Sequence, residues 1–65
     1  MGDVIIFTAQ EKADCADREL RYRKRVYQRW IERGILTKAK ADREIALMES
    51  ICSDYQALAQ KERLL

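Results

Sequence analysis

The chain has 65 residues, no proline and two glycines, with 48% hydrophobic and 37% charged side chains. That mixture suits amphipathic helices rather than a disordered tail, and a chain that buries only about 60% of its unfolded surface is too small for a multidomain enzyme. Ordering it costs roughly 1.5 kcal/mol per residue, which so small a core offsets only narrowly, so a partner is expected.

Residues 1–7 form an apolar arm. Asp3-Val4-Ile5-Ile6-Phe7 is β-branched and aromatic, unlike anything after it. It could pair as a short strand with a partner's sheet edge, or lie across this chain's own helices. The start has no basic region, and its longest apolar run is the four residues Val4 to Phe7, matched only by Ile45 to Met48. A spanning helix needs about twenty apolar residues, so no membrane partner is expected and the chain is read as cytoplasmic. Ile6 also occupies the position where a myristoylation signal following Gly2 requires Ser or Thr.

Residues 8–65 read as a helical hairpin. Thr8 followed by Glu11 is a capping box, which starts the first helix at about residue 8. Along it Ala9, Ala13, Ala16, Leu20, Tyr27 and Trp30 recur at spacings of three and four, with Arg23 as the one polar member of the seam. Such spacing places them on one stripe of an amphipathic helix. Gly34 ends the helix after residue 33, because it accepts the left-handed C-cap conformation.

Thr37 caps the second helix, predicted over 37–63. Its seam is Ala41, Ile45, Met48, Cys52, Tyr55 and Ala59, and a second seam of Leu47, Ile51, Leu58 and Leu65 lies beside it. Together they span roughly 160°, wider than the ~100° stripe one neighbouring helix requires. A short loop between helices of equal length predicts an antiparallel pair, with Trp30 near Ala41, Leu20 near Ile51 and Cys52, and Ala16 near Tyr55. Arg23 is expected near Met48 and Glu49. Two helices leave much of the apolar arc wet. The expected remedy is a homodimer, a four-helix bundle about a two-fold axis, with Leu47, Ile51, Leu58 and Leu65 at its interface. The alternative is a monomer whose Val4 to Phe7 arm folds over the open side.

Catalysis is not expected. There is no histidine, the commonest general base, and the carboxylates are spread along helix surfaces. With two cysteines outside any CxxC pattern, no metal or other cofactor is expected. Cys15 and Cys52 are read as small buried hydrophobes rather than a disulfide. The net charge of +2 is small, but Arg18 to Arg33 holds seven basic residues against two acidic ones, a local excess of +5. Arg18, Arg21, Arg25 and Arg29 fall within an ~80° arc opposite the apolar stripe, with Tyr22 at its border. Rows of arginine one turn apart can follow a phosphate backbone, and arginine and tyrosine can stack on unpaired bases. The plainer reading of the same face is a solvated or protein-contact surface, partly neutralised by acids of the second helix such as Asp42, Glu44 and Glu49.

The stretch Arg25-Val26-Tyr27, Gly34-Ile35-Leu36-Thr37, Ala41 to Glu49 and Asp54-Tyr55 resembles a group of small helical proteins encoded by bacteriophages and prophages. The likeness spans roughly residues 8 to 55. It implies a phage or prophage origin and supplies no activity. Proline is frequent in that group where this chain has Gln28, so the departure predicts an unbroken first helix. Two functional readings follow. One is a small interaction or assembly module, a phage accessory protein acting on a host or phage protein. The other is a nucleic-acid-binding accessory protein that uses the arginine face.

Overall fold

The computed structural model describes residues 6–65 and is all-helical, with α1 at Ala9–Glu32 and α2 at Lys38–Arg63. Val4 and Ile5 of the arm lie outside the described residues. Ile6 and Phe7 are in irregular structure ahead of α1.

Both ends of α1 are built as the residues dictate. The Glu11 N–H donates to Thr8 Oγ1 at 3.1 Å, and the Thr8 N–H donates back to Glu11 Oε1 at 3.1 Å. Two amides that the helix leaves unpaired are thus satisfied reciprocally. At the other end Gly34 takes a φ of 73°. Its N–H reaches the Ile31 carbonyl at 3.0 Å and that of Ile35 reaches Trp30 at 2.9 Å, a Schellman closure. No residue between breaks the helix, Gln28 included. Thr37 Oγ1 accepts from the Lys40 N–H at 3.2 Å and opens α2.

The helices pack antiparallel. Near the open end, the Ala9 N–H at the start of α1 donates to Glu62 Oε2 in the last turn of α2 at 3.3 Å. That contact places a carboxylate at the positive end of the α1 dipole. Midway, Ala16, Met48 and Cys52 form the core cluster, with Leu20 and Ile51 packed against it. These pairs agree with the expected register.

The buried positions are mostly small: Ala9, Ala13, Ala16, Ala41 and Ala59 join Met48 and Cys52. Alanine lets the helix backbones approach closely, but each contributes little apolar area. The larger seam residues Leu20, Tyr27, Trp30, Ile45 and Tyr55 are only half-buried. Tyr27 and Trp30 stack at 5.4 Å between ring centroids near the hairpin tip. A single neighbouring helix covers one side of such rings, which is why they do not form the sealed core their seam positions suggest.

Candidate interaction surfaces

Two contacts across the seam fix which residues share a broad side of the helix pair. On one side the Lys24 ammonium lies 3.7 Å from Glu49. On the other, Arg23 Nη1 donates to the Glu44 carbonyl at 3.0 Å and lies 3.7 Å from its carboxylate, while Nε donates to Glu19 at 3.1 Å. The expected neighbours of Arg23 were Met48 and Glu49. Its partner is instead Glu44, one turn nearer the loop, and Glu49 takes Lys24. Adjacent residues on a helix point 100° apart, so Arg23 and Lys24 emerge on opposite sides of the seam.

The same arithmetic places the apolar side chains. On α2, Leu47, Ile51 and Leu58 project within about 60° of Glu44, and on α1, Val26 and Trp30 project within about 60° of Arg23. All five therefore belong to the Arg23–Glu44 side, where Lys12 also sits 5.7 Å over the Tyr55 ring. Leu47 is 50% exposed and Leu58 44%. Ile51, Val26 and Trp30 are half-covered. Leu65 falls beyond the Leu64 C-cap and is fully exposed. The Lys24–Glu49 side carries Asp17, Gln28, Asp42 and Gln56 and, by the same measure, the half-buried Leu20, Ile31 and Ile45. The exposed large apolar side chains of α2, Leu47 and Leu58, both lie on the Arg23–Glu44 side beside its charged cluster, whereas the apolar side chains of the Lys24–Glu49 side are half-buried.

The described part of the arm does not cover the apolar face. Ile6 is 86% exposed. Phe7 instead lines a surface groove with Glu11, Lys12, Asp14, Cys15 and Arg18, along the edge of α1 turned away from α2. Cys15 is exposed there, contrary to the expectation of a buried thiol. It lies between the seam residues Ala13 and Ala16, and a spacing of two from Ala13 is enough to turn it outward. Cys52 is buried, and its thiol pKa is raised by desolvation, with Asp17 and Glu49 adding to the effect and Lys24 opposing it.

Arg18, Arg21, Tyr22, Arg25 and Arg29 are exposed along the outer edge of α1. The stripe runs about 17 Å from Arg18 to Arg29 at 1.5 Å per residue. Arg21 pairs with Asp17 at 2.8 Å, and the Arg25 guanidinium sits 5.8 Å from the Tyr22 ring centroid. The acids of α2 do not neutralise this stripe: Asp42 pairs with Lys38, Glu44 with Arg23 and Glu49 with Lys24. The α1 acids at its ends are engaged by amides, Asp14 by Gln10 at 3.0 Å and Glu32 by Gln28 at 3.4 Å. Among the described residues Arg18, Arg25 and Arg29 have no ion-pair partner.

The roles of Glu44 and Glu62 were not visible in the sequence. Both are ordinary surface glutamates until the antiparallel register brings them to α1. Among the described residues no group of three His, Cys, Asp or Glu side chains could hold a metal ion, and no helix is long and apolar enough to cross a membrane. Comparison of the chain with protein-family models, curated proteins and solved structures found no match.

Proposed function

We propose that this protein is a small non-enzymatic assembly module that works as a homodimer, two hairpins joined into a four-helix bundle through the Arg23–Glu44 side. The observation that carries the reading is that Leu47, Ile51, Leu58, Val26 and Trp30 all emerge on one broad face, although they come from both helices. Contiguous apolar surface of this kind marks an interaction site.

A second copy suits the face in area and shape. A helix pair about 38 Å long and about 20 Å wide offers roughly 760 Å², close to the ~800 Å² per partner of a stable interface. A flat helix pair is complementary to another helix pair, and a two-fold axis lets each copy bury the same residues. Covering the exposed halves of Leu47 and Leu58 supplies about 1 kcal/mol each per chain. The cluster of Arg23, Glu19 and Glu44 would then face its own copy, where polar groups within an apolar interface set register. A phage or prophage origin remains a reading of sequence resemblance alone.

Thermal unfolding over a hundredfold range of protein concentration tests the assembly. The melting temperature of a dimer rises with concentration by mass action. Leu47→Glu combined with Leu58→Glu should abolish that dependence, while Gln56→Glu on the Lys24–Glu49 side of α2 should preserve it. A melting temperature independent of concentration in the native chain would refute the dimer.

A further inference from the structure

The arginine stripe lies on the outer edge of α1, away from the seam and bordering the apolar face at Tyr22 and Arg29, so self-association leaves most of it free. We infer that this stripe, with Tyr22 beside it, is a binding site for single-stranded nucleic acid.

Three properties of the stripe support that occupant. Three of its four arginines, Arg18, Arg25 and Arg29, have no ion-pair partner among the described residues, because the acids of α2 are held by Lys38, Arg23 and Lys24 and only Asp17 of α1 pairs with the stripe, at Arg21. Its cations are all arginines, whose planar forks match phosphate oxygens in a way lysine does not. Arg18, Arg25 and Arg29 stand in a row along α1, two turns and then one turn apart, so the row can follow a phosphate backbone. Tyr22, 45% exposed, stands at the border of the row with Arg25 near its ring. An exposed ring flanked by a guanidinium is a platform for an unpaired base. A base within a duplex is already stacked and cannot use it, so the ring favours a single strand over a double one.

The test is fluorescence anisotropy of a labelled single-stranded oligonucleotide titrated with the 65-residue chain at several salt concentrations. Three to four phosphate contacts predict a slope of about −2 to −3 in log affinity against log salt for a single strand. Replacing Arg18, Arg25 and Arg29 with Gln should weaken binding at low salt at least tenfold and flatten the slope, with helical circular dichroism unchanged. Replacing Lys40, Arg43 and Lys61 removes the same charge from α2 and should leave most of the affinity. Tyr22→Leu should weaken the single strand while leaving the salt slope in place. Equal losses in the two triple variants would overturn the site. So would tighter binding of a duplex of the same sequence, or preference for a polyglutamate peptide over the oligonucleotide. Assembly is read from mass and binding from anisotropy, so failure of one leaves the other standing.

Discussion

Cys15 and Cys52 carry the same thiol in opposite surroundings, and their chemistry should differ accordingly. Cys15 is open to solvent, whereas Cys52 is buried and its thiolate is disfavoured by desolvation. Iodoacetamide should therefore modify one cysteine in the folded protein, and the second only after unfolding in urea. Fast modification of both without denaturant would contradict the burial of Cys52. A raised folded-state pKa also has a defined sign for stability. The contribution is fully present below the ordinary thiol pKa and is lost as pH rises through the higher folded value, so urea midpoints should fall on the alkaline side of the thiol range. Cys52→Ala should reduce that alkaline decline.

Arg23 is the other decisive residue. Its head donates to the Glu44 carbonyl and to Glu19, while its stem lies along the seam. Arg23→Ala removes both and should cost about 1–2 kcal/mol, read as a lower urea midpoint. Arg23→Met keeps the stem and should cost less than Arg23→Ala. Equal losses would show that the hydrogen bonds, and not the packing, matter.

Among the elements, the caps set where each helix begins and ends. Thr8→Ala should cost about 1 kcal/mol by orphaning the first turn of α1. Gly34 sits at a φ of 73° with open space where a Cβ would be, so Gly34→Ala meets no clash. Its cost is the left-handed backbone alone, about 1–2 kcal/mol, measured by equilibrium unfolding. These boundaries were readable in advance because capping is local: Thr8 with Glu11, Gly34 and Thr37 act within four residues of where they stand. The register was readable too, since a connection of only five residues, 33–37, leaves two helices little freedom to slide. Side-chain burial was less so. Periodicity identified the seam but not its depth, and one partner helix covers alanine fully while leaving Tyr27, Trp30 and Tyr55 half open. The candidate site residues were legible by face. Their ion pairing was not, because helical spacing alone does not say which side of the seam Glu44 and Glu49 take up, and so which of Arg23 and Lys24 each one meets.

At the scale of the whole molecule, a two-helix layer has two broad faces and no interior beyond its seam. On the Lys24–Glu49 face Leu20, Ile31 and Ile45 are already half-buried. The face with Leu47, Ile51, Leu58, Val26 and Trp30 gains from cover, and neither Ile6 nor Phe7 supplies it. The arginine edge stands at right angles to that face, so a dimer would carry two such edges on its outside, and paired sites on one strand would bind with higher avidity than one.

Sedimentation equilibrium of the native chain at high micromolar concentration tests the central claim most directly. A covered apolar face predicts a mass of twice 7.7 kDa. A mass of one chain would mean that Leu47 and Leu58 remain in water, and would contradict the four-helix assembly.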